Sequence, residues 1–268
     1  MKYYEQIVSH RHSCRGFDMR HVEDEKIDAV MDYYNEEESC LVDDILTELR
    51  LYDSSAFGTL STSVGYNGIC IKAPHYIVLF SENKDHYLEN AGYIIQGITL
   101  KLTELGLAAC WMTINDAAAA KEALKADTSK DLACVLAFGY RAEDNDEKVA
   151  PKIAYPDLCF SKVYGHPLDT DLLYPELEDC LRASAQSQSF QNLQPYRLIV
   201  DDDVVSLIGL DNEMTNEYDT HLNYGIVMFN FYSVMWAVRA SAPRWSFEPV
   251  GKDLRLPDNA HYIAKCGI

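Results

Sequence analysis

The sequence predicts an α+β protein built from two roughly alike halves. Long segments place apolar residues three and four apart, the spacing of a buried helix face, and short apolar runs of strand length lie between them. The order proline, strand, glycine-marked helix also occurs once in each half of the 268 residues, as a duplicated unit would leave it.

Residues 24–34 put Ile27, Val30, Met31 and Tyr34 on one helical face. Glu23, Asp24 and Glu25 stand at its start, where acids complement the helix dipole. Ile45, Leu46 and Leu49 predict a second helix over 43–51. Residues 54–68, rich in Ser, Thr and Gly, predict a loop. Pro74 leads into a buried strand over 76–80. Ala91, Ile94, Ile95, Ile98, Leu102 and Leu105 repeat at helical spacing, and Gly106 is their stop signal. A helix over 117–125 and a strand over 132–138 close the first half.

Residues 142–156 mix charges with two prolines and predict a linker, with the boundary between a first half, 1–150, and a second, 151–268. A short helix follows over 175–185, then strands over 197–200 and 204–210, then a long apolar helix over 221–239. Asn90-Ala91-Gly92 marks the central helix of the first half, and Asn223-Tyr224-Gly225 that of the second.

Composition narrows the function. Hydrophobic residues make up 48%, enough for a packed core, and the formal net charge is −19. So acidic a chain makes a poor partner for nucleic acid or an anionic membrane. A small-molecule substrate is the expected partner. The apolar run 226–238 is too short to span a bilayer and predicts a buried helix. No apolar export segment is visible in Met1-Lys2-Tyr3-Tyr4-Glu5-Gln6, and the 8 Cys are scattered without metal-ligand spacing. Reduced thiols, a cytoplasmic location and no bound metal are the expectations. His10, His12 and His21 cluster in sequence but make poor metal candidates and read as surface histidines in a loop, and Glu36-Glu37-Glu38 reads as a solvated helix end. There is no G-x-S-x-G elbow, P-loop or G-x-G-x-x-G.

Three clusters carry chemistry. Arg11-His12-Ser13-Cys14-Arg15-Gly16-Phe17 places two guanidiniums and a hydroxyl within five residues, suited to a phosphate and a polar ring. Cys14 between the arginines reads as a filler of a small apolar position. Ser189-Phe190-Gln191-Asn192-Leu193-Gln194-Pro195-Tyr196 is amide-rich, and amides can both donate and accept. The third cluster is Leu105-Gly106-Leu107-Ala108-Ala109-Cys110-Trp111.

Together these resemble the flavin site of the FMN-dependent nitroreductase family. The first follows the pattern Arg, basic, Ser, any residue, Arg, any residue, Phe, with His12 where a second Arg is common. The second follows Ser, two residues, Asn, any residue, Gln-Pro-Trp, with Tyr196 for Trp and Ser187-Gln188 for the usual Ala-Pro. The third follows Gly-Leu-Gly, with Ala108 for the last Gly. The resemblance implies a mixed, mostly antiparallel sheet flanked by helices. It implies cofactor contacts from Arg11, His12, Ser13, Arg15, Gly106, Leu107, Ser189, Asn192 and Gln194, with no protein side chain as acid or base. It further implies FMN as cofactor, NAD(P)H as electron donor, and a nitroaromatic, quinone or similar acceptor in a ping-pong cycle. The first and second clusters each occur once, in opposite halves. This is similar to the branch in which two related units in one chain mimic the usual homodimer, which implies a monomer or weak homodimer with one site shared by its halves. The alternative is a non-catalytic member of the fold that has lost flavin or binds it without turnover.

Overall fold

The computed structural model describes residues 3–36, 39–144, 149–239 and 244–268. Glu37 and Glu38 of the acidic run, residues 145–148 of the linker, and Met1-Lys2 lie outside them. In chain order the first elements are α1 (Tyr3–Gln6), α2 (Asp24–Tyr34), β1 (Thr47–Asp53), α3 (Phe57–Leu60) and β2 (His75–Ser81). Next come α4 (Tyr87–Glu104), β3 (Ala108–Met112), α5 (Ala117–Ala123), β4 (Asp131–Gly139), α6 (Tyr155–Leu158) and β5 (Cys159–Ser161). The last are α7 (Pro175–Ala185), β6 (Tyr196–Asp201), β7 (Val204–Leu210), α8 (Glu217–Val238), β8 (Trp245–Ser246) and β9 (Ala260–Gly267). The chain divides into two compact units, one of residues His10–Val149 and one of residues 150–268 joined by residues 3–9.

The unit His10–Val149 is built on a four-stranded antiparallel sheet of order β1-β2-β4-β3. One core cluster joins alternate residues of its strands, Tyr76, Val78 and Phe80 from β2, Cys110 and Met112 from β3, Val135 and Ala137 from β4, to Leu60 and Ala120. That period of two is the side-chain alternation of a strand. Helix α4 is absent from the cluster and packs against β2, β3 and β4. It is buried almost all round, and Ile94, Ile95 and Ile98 are at most 1% exposed. Each such side chain contributes about 1.5–3 kcal/mol by leaving water.

The second unit carries a five-stranded mixed sheet of order β5-β6-β7-β9-β8, with β5 parallel to β6 and the other pairs antiparallel. Helix α8 starts at Asn216, whose side chain accepts the Asp219 amide hydrogen at 2.7 Å. Its residues from Leu222 to Met235 are buried, and it packs on α7 and β7.

Two expectations are corrected. Residues 43–51 are not a helix, because Thr47–Asp53 is edge strand β1, paired with β2 from Thr47↔Ser81 to Asp53↔His75. The spacing of Leu46 and Leu49 imitates a helix, yet Leu49 is buried while Leu46 is 60% exposed. Residues 54–68 are not all loop. Asp53 caps a 3-10 turn over Ser54–Ala56, which runs into α3 and buries Leu60.

The two units repeat one order of elements. Helix α2, strands β1 and β2, helix α4, then β3 and β4 correspond to α7, β6, β7, α8, β8 and β9. The sheet orders β1-β2-β4-β3 and β6-β7-β9-β8 correspond strand for strand. The glycine-marked helices α4 and α8 occupy matching places. The prolines do not, since Pro74 precedes the second strand of its unit and Pro195 the first of the matching set.

Candidate functional site

The segment carrying Arg11, His12 and Ser13 lies along β3, the strand that follows Gly106 and Leu107. Ser13 forms a parallel bridge with Ala109, and the Cys14 amide donates to the Ala109 carbonyl at 3.0 Å. Phe17 then bridges to Arg141, the Asp18 amide donates to the Tyr140 carbonyl at 2.9 Å, and the Ala142 amide to that of Gly16 at 3.0 Å. Backbone pairing thus brings the first and third clusters together.

The turn before β3 is set by Gly106. Its φ of +72° closes α4, with the Leu107 amide donating to the Leu102 carbonyl at 2.8 Å and the Gly106 amide to that of Thr103 at 3.1 Å. Lys26 of α2 holds the same turn through Nζ, which donates to the Leu105 carbonyl at 2.8 Å and to the Tyr140 hydroxyl at 2.9 Å. The Tyr140 hydroxyl in turn donates to Glu23, and Arg20 lies over the Tyr140 ring at 3.6 Å.

Arg11 is the anomaly of this region. It is 7% exposed, and its guanidinium forms no hydrogen bond or ion pair among the described residues. Burial pulls it down to about 10, with a smaller opposing effect from Cys110. A guanidinium carries five donors and keeps its charge, so burial of this residue is costly unless something accepts from it. Trp111, further along β3, has a buried Nε1 with no partner among the described residues. Arg15 is exposed, and His12 and Ser13 are half-buried.

Ser189, Asn192 and Gln194 share one tight loop of the other unit. Gln191, Asn192 and Gln194 all adopt left-handed backbone, at φ +50°, +59° and +47°. Such conformations cost energy in side-chain-bearing residues and persist only where their surroundings enforce them. Here the Ser189 hydroxyl accepts the Gln194 amide hydrogen at 2.9 Å, and the Ser189 carbonyl accepts that of Asn192 at 2.9 Å. The buried Gln194 side chain donates to the Ala185 carbonyl at 2.9 Å and to the Tyr196 hydroxyl at 3.2 Å, and accepts from the Ile153 amide at 2.9 Å. Asn192 donates to the Pro151 carbonyl at 2.8 Å and accepts from Lys152 Nζ at 2.5 Å. Both amides therefore fasten the 151–153 segment to the loop. Sequence reasoning missed Lys152, because a contact made across 40 residues leaves no local spacing. Trp111 stands in the third cluster, but nothing in the sequence pattern marks its indole nitrogen as one without a partner among the described residues.

Among the described residues no group of three or more His, Cys, Asp or Glu side chains could hold a metal ion, and no helix is long and apolar enough to cross a membrane. All 8 cysteines are free thiols. Burial pushes Cys70 up to about 11 and Cys266 up to about 12, and raises Cys159 and Cys180 further.

The two sheets, their buried central helices and the strained amide loop define a nitroreductase-type α+β protein. A Thermotoga maritima structure described as a "putative nitroreductase" shares the fold with a TM-score of 0.65 at 17% identity, over 100% of this chain and 94% of that one. An FMN-dependent nitroreductase of Clostridium difficile matches 55% of this chain and 91% of its own, at 21% identity and a TM-score of 0.45. A Bacteroides fragilis nitroreductase with bound FMN matches 56% of this chain and 95% of its own, at 16% identity and a TM-score of 0.44. No curated protein matches the chain in sequence. The family model described as "Putative TM nitroreductase" matches residues 2–234, and the chain belongs to that family.

Proposed function

We propose that the chain is an FMN-dependent oxidoreductase that takes a hydride from NAD(P)H and passes electrons to a nitroaromatic, quinone or similar small acceptor. Family membership supports the class, and Arg11 is the observation that carries the cofactor. A buried guanidinium without a partner among the described residues fits a phosphate, which offers several acceptor oxygens and the opposite charge. The FMN ring, when bound, supplies the redox chemistry.

The chain's own residues hold and orient it. Arg11, with His12, Ser13 and Arg15, holds the phosphate and polar edge, and Gly106 and Leu107 present backbone. Positive charge from Arg11 or Arg15 stabilises negative charge that develops during electron transfer. Ser189 and Asn192 contribute polar contacts. Asn192 keeps one N–H and one lone pair beyond its bonds to Pro151 and Lys152. Gln194 has committed both N–H groups within its unit, so its part is to hold the strained loop in shape. That same commitment favours the second reading, a nitroreductase fold that no longer turns over flavin.

Fluorescence titration with FMN separates the readings. The intact protein should bind FMN, and NADH or NADPH should bleach the flavin absorbance without air. Arg11→Met should weaken FMN binding roughly 10- to 150-fold, the loss of a charged hydrogen-bond partner. Because it removes a buried charge that no described residue pairs, Arg11→Met should also leave the ligand-free Tm unchanged or raised. No fluorescence change at saturating FMN refutes the cofactor assignment and leaves the non-catalytic reading. A lowered ligand-free Tm shows instead that Arg11 serves the fold.

A further inference from the structure

We propose that Cys14 and Cys110 form a redox-active thiol pair, which closes to a disulfide under a hydroperoxide and ties the Arg11–Arg15 segment to β3. Register carries the argument. Ser13 is the parallel bridge partner of Ala109, so Cys14 and Cys110 are the next residues along the two paired strands. Residues that each follow a bridged pair start out on the same face. Both side chains accordingly join one core cluster, with Ala137 of β4, the ladder partner of Cys110, in the same cluster. Neighbouring strands lie about 4.8 Å apart, inside the roughly 4.4–6.8 Å between α-carbons that a disulfide spans.

Register, not charge, distinguishes this pair from the other buried thiols. Arg11 lies within electrostatic reach of Cys110, as Arg197 does of Cys159 and Arg239 of Cys180. Cys180 and Cys266 also lie within reach of each other, but burial holds both protonated. Cys14 and Cys110 are 0% and 4% exposed. Hydrogen peroxide therefore meets them as the edge segment opens locally.

The chemistry balances with peroxide as sole oxidant. The Cys110 sulfur attacks one peroxide oxygen, the O–O bond breaks, and the departing hydroxide takes a proton to leave as water. The Cys14 sulfur then attacks the Cys110 sulfenic acid, the S–S bond forms, and the S–O bond breaks with loss of a second water. Two thiols are oxidised by two electrons and one peroxide is reduced to two waters.

The test uses the reduced full-length chain without added cofactor, so its failure leaves the FMN reading standing. After hydrogen peroxide and alkylation, a non-reduced digest should contain the Cys14 peptide linked to the Cys110 peptide, and reductant should separate them. Cys14→Ala should give no linkage and leave a Cys110 sulfenic acid that dimedone traps. Cys180→Ala should leave the linkage intact. Linkage of any other pair instead, or oxidation of these two only to sulfinic and sulfonic acids, overturns the proposal. So does loss of the linkage in Cys180→Ala. Should Cys14→Ala fail to fold, the digest of the unsubstituted chain decides alone.

Discussion

His75 opens β2 with a ring that is 5% exposed, and its Nε2 accepts the Val22 amide hydrogen at 3.1 Å. An acceptor nitrogen is unprotonated, so the imidazole is neutral with its proton on Nδ1. Phe138 stacks on one side at 5.3 Å and the His21 ring lies 4.6 Å away. Burial lowers the His75 pKa first and His21 lowers it further, while Asp53, its partner across the ladder, opposes them. A histidine whose folded pKa lies below its unfolded value of 6.5 takes up protons on unfolding. Stability is then full above that value and falls as pH drops through it. Protonation also turns Nε2 into a donor facing the Val22 N–H. The expected outcome is a fall in Tm between about pH 7.5 and about pH 5.5 that is smaller in His75→Gln, whose amide oxygen can accept without titrating. Equal falls in the two proteins would clear His75 of the effect.

At the scale of elements, what could be read from the sequence was what is encoded locally. Helix α7 begins at Pro175, a residue suited to the first turn, and α2 begins with its acids, so the boundaries of both helices follow from the pattern. Strand β1 defeats the pattern because it is an edge with only Leu49 buried, so alternation barely registers. Strand β9 buries only Ala264 and Cys266 and carries His261 and Lys265, which gives its sequence no strand signature. Of the candidate site, motif spacing revealed the Arg11 to Arg15 and Ser189 to Gln194 clusters. The Ser13–Ala109 bridge and the Lys152 contact arise only from folding. The Gly106 stop was legible and has a measurable consequence. At φ +72° an added Cβ meets nothing within 4 Å, so Gly106→Ala pays only the backbone cost of the left-handed conformation. Urea unfolding should show a loss of about 1–2 kcal/mol with unchanged slope. Gly58→Ala within α3 also meets open space but needs no left-handed backbone, and should stabilise by about 0.4–1 kcal/mol. If both substitutions shift stability in the same direction, backbone conformation is not the cause.

At the scale of the whole molecule, topology repeats and chemistry does not. Setting aside α3 and α5 of one unit and α6 and β5 of the other, both run helix, two strands, buried helix, two strands, and in each the second strand slips register against the last, at Leu79/Phe80 and at Leu207/Ile208. A shared order with a shared irregularity fits duplication of one ancestral unit. The two clusters proposed to hold a cofactor, by contrast, occur once each. The Arg11–Arg15 segment bridges β3 in its unit, whereas β8, the matching strand, is two residues long. The strained amide loop precedes β6, and the segment before its counterpart β1 carries no Ser, Asn and Gln at that spacing. A second site of the proposed kind would need a second Arg11–Arg15 cluster. The chain should therefore bind one FMN, even though its fold is double. Flavin released by heat from the saturated, desalted protein should equal the chain concentration, and the same count should come from the titration end point. Two flavins per chain would mean that the repeated topology carries a second site through residues other than these. A value near one that falls toward zero in Arg11→Met would tie the single site to the cluster that occurs once.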